Sequence, residues 1–254
     1  MCTVTFLPRR AGYCLGMNRD EKLTRPAALP PRCVKRGARV VICPAEPGGG
    51  TWIALNDRGA SFALINWYSV PRRISGNAVS RGQVVRRVCS ANTPDAVVNA
   101  LARLPLSRMS PFRLIGVFPA THTLLEWRWD LDALDRVNHS WKRRQWISSG
   151  FDEPAAQRVR SRTFRRALRQ RSAGTLGWLR RLHRSHAPAR GPFSTCMHRA
   201  EAATVSYVEV AVASSRATLR YLAGAPCQKP AARIHRCSLV CVAALPRARN
   251  RRSR

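Results

Sequence analysis

Acidic side chains are scarce in this chain. Only 13 Asp+Glu stand against 45 Lys+Arg in 254 residues, so the formal net charge is +32. Lysine is scarce too, present only at Lys22, Lys35, Lys142 and Lys229, so the positive charge is almost entirely arginine. No apolar run approaches the ~20 residues that would span a membrane. None of signal-peptide length precedes Arg9 and Arg10 either. There is no internal repeat. The nine cysteines are odd in number and irregular in spacing, which argues against a secreted disulfide scaffold and favours free thiols in a cytoplasmic compartment. The glycine-rich stretch Gly48-Gly49-Gly50 lacks the Lys-Ser/Thr that completes a phosphate-binding loop. His183 and His186 lie three apart and Cys196 and His198 two apart, but no CxxC…CxxC spacing accompanies them, so no metal site is expected.

What is present begins at the second position. Cysteine is small, so removal of Met1 is expected to leave Cys2 with a free α-amine. One residue would then carry a thiol nucleophile and a base, both titrating within reach of neutral pH. At 45% hydrophobic, the chain is long enough to bury a core without staples. Residues 3–7 and 13–18 read as paired strands turning at Arg9–Gly12. Leu23 to Arg39, with Pro26, Pro30 and Pro31, reads as extended chain or loop. Val40–Cys43 is a short buried strand, and Trp52–Leu55 with Phe62–Asn66 a hairpin around Asn56-Asp57-Arg58-Gly59.

Thr93-Pro94-Asp95 starts a helix that ends before Pro105. Phe112–Val117 and Thr123–Trp129 return to strand. A second helix runs from Phe151-Asp152-Glu153-Pro154 towards Gln170. Its predicted apolar stripe is Ala156, Val159, Thr163 and Ala167, flanked by Phe164 and Leu168, and its charged face is Arg158, Arg160, Arg162, Arg165, Arg166 and Arg169. Thr204–Val212 and Ala217–Leu222 are the last expected strands, and 227–254 is expected to be a basic, structureless tail. Strands in runs at both ends with helices between predict an α+β fold.

Met1-Cys2, Asn18-Arg19-Asp20-Glu21, Arg25-Pro26, Gly49-Gly50-Thr51-Trp52, Asn66 and Ser80-Arg81-Gly82 occur in order. Ser148-Ser149-Gly150-Phe151-Asp152-Glu153-Pro154 and the block from Phe193 to Val210, with Cys196-Met197-His198-Arg199, follow them. Together they resemble the NRDE, or transport and Golgi organisation protein 2, family over about residues 1–226. The resemblance implies an αββα sandwich of two antiparallel sheets between helical layers, as in N-terminal-nucleophile hydrolases.

It implies roles as well. Cys2 would be the nucleophile, Asp20 would hold the α-amine, Arg19 would favour the thiolate, and Asn66 would donate to an oxyanion. Backbone donors would come from Gly49 and Gly50. Asn18 and Glu21 complete the motif without a chemical role, Glu21 pairing with an arginine. Ser149 stands where many members have Asn, and no arginine is in register near the later Thr-rich strand, where Arg199 and Glu201 lie. On this reading no cofactor is required and the partner is a small acyl ligand.

A carrier of haem or acyl lipid is the alternative. It would use Trp127, Trp129, Trp141 and Trp146 for stacking, with His139, His186 or His198 as axial ligand. A basic nucleic-acid or anionic-membrane binder is the third reading.

Overall fold

The computed structural model describes residues 2–72, 74, 76–228 and 234–241. The chain opens with β1 (Cys2–Arg9) and β2 (Gly12–Lys22), joined by the short turn the sequence predicts. Next come β3 (Leu29–Arg36), β4 (Arg39–Ala45), β5 (Ile53–Asn56) and β6 (Ser61–Asn66), then α1 (Gly82–Val88) and α2 (Pro94–Leu101). β7 (Phe112–Phe118), β8 (Thr123–Trp129), β9 (Leu134–His139) and β10 (Arg144–Ser148) follow. α3 (Glu153–Leu168), α4 (Leu176–Arg184), β11 (Ala202–Val212), β12 (Arg216–Ala223) and β13 (Ile234–Val240) complete the described elements.

The strands form two antiparallel sheets, ordered β10-β1-β2-β11-β12-β13 and β3-β4-β5-β6-β7-β8-β9. Val4, Phe6, Leu15 and Met17 meet Ile53, Leu55, Ile65 and Ile115 between the sheets. Alternate residues of β1 and β2 point the other way, and Leu7 and Cys14 pack against Phe164, Trp178 and Leu179 of α3 and α4. The outer face of the second sheet is covered by Val84, Val85 and Val88 of α1 and Val97 and Leu101 of α2. The layers are therefore helix, sheet, sheet, helix, the predicted αββα sandwich.

Local signals explain several boundaries. The Thr93 and Asp152 side chains accept from the amides of Ala96 and Ala155, capping α2 and α3, and each helix has a proline in its first turn. Several expectations need correction. Leu29–Arg36 is a strand despite Pro30 and Pro31, because β3 lies at a sheet edge, where a missing N–H is tolerated. The buried stripe of α3 is Glu153, Ala156, Arg160 and Phe164, one position round from the predicted one, so Arg160 leaves the solvent-facing basic set. The tail reading from 227 fails over Ile234–Val240, which pairs with β12 residue by residue from Leu222 to Arg216. Sheet pairing there needs only backbone groups and a few apolar side chains. Residues 242–254, including the basic stretch 247–254, lie outside the described residues. Among the described residues no helix is long and apolar enough to cross a membrane.

One carboxylate is buried between the sheets. Glu126 of β8 is fully inaccessible and accepts from Arg113 at 2.5 Å and Arg128 at 3.0 Å, with His139 Nε2 at 2.8 Å and Trp146 Nε1 at 3.3 Å. Burial alone would raise its pKa, but the charge of Arg113 and the hydrogen bonds from Arg128, Arg113 and His139 bring it to about 2. An unfolded glutamate protonates near ~4.3, so the stabilisation is complete above that pH and is lost as pH falls towards the folded value. Urea denaturation should accordingly show stability dropping by on the order of 3 kcal/mol between those limits. Glu126→Gln should lower stability by about 3 kcal/mol at pH 7 and flatten the acid limb, and an unchanged acid limb in that variant would contradict the assignment.

Candidate active site

Cys2 is the first residue of β1, with Arg19 of β2 opposite it on one side and Ser148 of β10 on the other. Opposed residues of an antiparallel pair put their side chains on the same face, so these three point between the sheets. A cleft of about 360 Å³ opens there, lined by Cys2, Arg19, Asp20, Glu21 and Asn66, together with Arg25, Glu46, Trp52, Leu64, Val79 and Arg81. Five residues singled out from the sequence thus meet around one cavity.

Strand alternation divides the Asn18–Glu21 motif between two jobs. Arg19 faces the cleft. Its Nη2 donates to Glu46 at 2.6 Å and Glu21 at 3.3 Å, and its guanidinium lies 4.6 Å over the Trp52 ring. Arg25 closes the cluster on the same carboxylates, at 2.8 Å from Glu21 and 3.4 Å from Glu46. Burial acts to raise the Glu21 pKa, but the α-ammonium, the Lys22 amide, Arg19 and Arg25 outweigh it and the net shift is downward. Arg19 therefore pairs with Glu21 and Glu46 rather than with Asp20.

Asn18 and Asp20 face the helices. Asp20 is fully buried, accepting from Thr204 Oγ1 at 2.6 Å and from Arg160 Nη1 at 3.3 Å. Arg160 also donates to Thr3 Oγ1 at 2.7 Å and to the Pro192 carbonyl at 3.2 Å. The Thr204 contact depends on a bulge. Asp20 pairs with Thr204 but Arg19 pairs with Ser206, so Val205 is an extra residue. The bulge puts residues two apart on opposite faces and turns Thr204 towards Asp20.

Asn18 donates to the carbonyls of His183 at 2.9 Å and Thr195 at 2.8 Å, pinning the end of α4 and the following loop to β2. The His183 ring is wedged between Asn18 Oδ1 and Thr5 Oγ1, each at 3.0 Å. Its pKa falls to about 3 through burial and the nearby Arg160 charge, so it is a neutral structural side chain.

The remaining predicted residues sit differently. Asn66, at the end of β6, donates to the Tyr68 hydroxyl at 2.7 Å and carries a second amide N–H. Ser149 does not line the cleft. Its Oγ accepts from the Phe151 amide at 3.4 Å and its own amide donates to Glu153 at 3.3 Å, in the turn that enters α3. The Gly49 amide is spent on the Glu46 carbonyl at 2.8 Å. A Cβ on Gly50 would stand 3.1 Å from Gly82 Cα, so this glycine lets the loop approach the start of α1. Neither glycine lines the cleft that holds Cys2. Arg199 lies over the Phe151 ring and pairs with Glu201.

Sequence reasoning missed Arg160, Thr204, Glu46 and Ser148. Arg160 was hidden among the five arginines of α3. Ser148 is a buried hydroxyl without a partner among the described residues, beside Cys2 in register.

The expected haem-stacking residues do not converge. Trp127 and Trp129 pack under the α1–α2 layer, whereas Trp146 and Trp141 belong to the cluster between the sheets. His139 is held by Glu126. These residues do not fit a common haem cleft. His186, Cys196, His198 and Cys227 instead gather so that one ligand atom from each lies within 4.8 Å of the others, against the expectation drawn from spacing. All nine cysteines are free thiols.

Two antiparallel sheets between helical layers, with Cys2 opening the strand next to one edge of the first sheet, make an αββα sandwich that solved structures share. The conjugated bile acid hydrolase of Clostridium perfringens, as a cysteine-to-alanine mutant, superposes with a TM-score of 0.53 at 12% identity, over 93% of this chain and 92% of that one. Its arginine-to-leucine variant gives 0.51 at 11% over the same shares. Penicillin V acylase from Agrobacterium tumefaciens gives 0.50 at 9%, over 88% and 83%. At these identities the likeness concerns the fold. Residues 1–127 match the family described as Transport and Golgi organisation 2, and the chain belongs to that family. A comparison with curated proteins finds no match.

The surroundings of Cys2 predict its reactivity. Burial raises the thiol pKa and the Asp20 charge raises it further, outweighing Arg19 and the Asp20 amide, which lower it. Alkylation of Cys2 by iodoacetamide, followed by the mass of the first peptide, should be slow at pH 7 and rise past the usual thiol midpoint of ~8.5. Asp20→Asn should move that rise to lower pH. Full alkylation of the parent protein at pH 6 would contradict this electrostatic account.

Proposed function

We propose that the protein is an N-terminal-cysteine amidohydrolase or acyl-transfer enzyme. The observation that carries this reading is the register of Cys2 between Arg19 and Ser148 at the wall of a 360 Å³ cleft, with Asp20 behind it on the adjacent strand. A small acyl group is the size of ligand such a volume admits. Trp52, Leu64 and Val79 supply the apolar wall, and the Arg81 guanidinium, anchored to the Pro111 carbonyl at 3.1 Å, supplies a cation for a polar end.

Once Met1 is removed, the Cys2 α-amine takes the thiol proton and the sulfur attacks the acyl carbon. The C–N bond breaks and the α-ammonium returns the proton to the leaving amine. Water then attacks the thioester, the amine again serving as base, and releases the carboxylic acid and the free thiol. An amine acceptor in place of water gives acyl transfer. Asp20, itself fixed by Arg160 and Thr204, sets the electrostatics of the amine. Asn66 is the candidate donor to the oxyanion. Arg19 shares its charge with Glu21 and Glu46, which makes it chiefly a positioning residue for the cleft wall.

The test is incubation with a panel of acyl amides and thioesters, read as turnover and as the mass of the first peptide. An acyl adduct on a peptide beginning at Cys2 is expected. Cys2→Ala should abolish adduct and turnover, Asn66→Ala should cost at least ~100-fold, and Ser149→Ala should cost less than that. Equal activity in the Cys2 variant, or retention of Met1, would overturn the mechanism.

A further inference from the structure

Outside the cleft, four ligand side chains converge from two segments, the connection between α4 and β11 and the turn after β12. His186 follows α4, Cys196 and His198 lie in the loop before β11, and Cys227 lies in the turn after β12. His198 Nε2 is 3.2 Å from His186 Nε2, 3.4 Å from Cys227 Sγ and 3.6 Å from Cys196 Sγ. Tetrahedral zinc with Zn–N of ~2.05 Å and Zn–S of ~2.3 Å separates two nitrogens by ~3.3 Å and a nitrogen from a sulfur by ~3.6 Å. The spacings around His198 therefore match those of a zinc coordination sphere.

We propose that His186, Cys196, His198 and Cys227 form a structural Cys₂His₂ site for zinc. The donor set is two imidazoles and two thiols, which selects zinc over magnesium or calcium. Two thiolates also neutralise the divalent ion, so the site can form in a chain of net charge +32. All four positions are filled by protein, which makes the site closed and its role structural.

The backbone holds the ligands in place. The Cys196 amide donates to Ser185 O at 3.0 Å, the His198 amide to Gly191 O at 3.2 Å, and the Gln228 amide to Ala225 O at 3.1 Å. Arg190 stands 3.4 Å from His198 Nδ1 and swings away on loading, because metal on Nε2 leaves the proton on Nδ1. The site also adjoins the candidate active centre. The Met197 amide, between two ligands, donates to Thr204 Oγ1 at 2.8 Å, and Thr204 in turn donates to Asp20. A bound ion would fix the loop that orients Thr204.

The test uses the full chain without an affinity tag, purified anaerobically. Elemental analysis should find one zinc per chain. Cobalt in its place should give the intense visible bands of a tetrahedral ion and thiolate-to-metal charge transfer. Cys227→Ser should weaken zinc binding by at least ~100-fold and lower the melting temperature. If that variant does not fold, the cobalt spectrum of the parent chain decides. Absence of zinc with no tetrahedral cobalt spectrum at stoichiometric metal would overturn the proposal. So would a Cys196–Cys227 disulfide in the anaerobic protein, or undiminished zinc in a folded Cys196→Ser/Cys227→Ser variant. None of these readouts depends on hydrolase activity.

Discussion

The arrangement around Cys2 depends on a buried ion pair. Asp20 and Arg160 are both fully removed from water. Two charges taken out of solvent are favourable only when their remaining hydrogen-bonding capacity is met. Thr204 donates to Asp20, and the two Nη atoms of Arg160 donate to Thr3 and the Pro192 carbonyl, while its Nε has no partner among the described residues. The pair therefore ties β2 to α3, β1, β11 and the loop before it. Removing either charge would strand the other in the interior. Packing of the helical layer on the first sheet and placement of the first residues of β1 thus rest on one electrostatic constraint.

The strand period gives the four-residue motif its economy. Asn18 and Asp20 anchor the helical side, one through backbone carbonyls and a neutral histidine, the other through an arginine and a threonine. Arg19 and Glu21 build the cleft wall with Arg25, Glu46 and Trp52. Consecutive residues on a strand serve opposite faces, so a single segment couples the fold of one layer to the chemistry of the other. The bulge at Val205 extends the same device to β11, sending Thr204 outward and Ser206 inward.

Much of this was legible in the sequence. The β1–β2 pair, the hairpin of β5 and β6, the caps of α2 and α3, and the last long strands follow from alternation and end signals. The resemblance implied roles for Cys2, Arg19, Asp20 and Asn66, and these residues line one cleft together with Glu21. The short helices were harder. α1 carries no acidic residue in its first turn and no side-chain cap, and α4, although capped by Thr175, is only nine residues long, so neither stands out from the sequence. β13 lay in a segment whose basic composition masked a strand that needs little more than a neighbouring edge.

The sequence alone determined the elements with strong local physics: periodic apolar strands, capped helices, a cysteine at the second position and a strand motif of alternating duties. Tertiary structure decided which charges meet. That Arg160 rather than Arg19 pairs with Asp20, that Glu126 collects two arginines and a histidine, and that His186, Cys196, His198 and Cys227 converge are long-range facts. With 41 arginines in the chain, no local rule selects a partner. Sheet register and the burial it imposes make that selection, because only charges forced out of water must find one another.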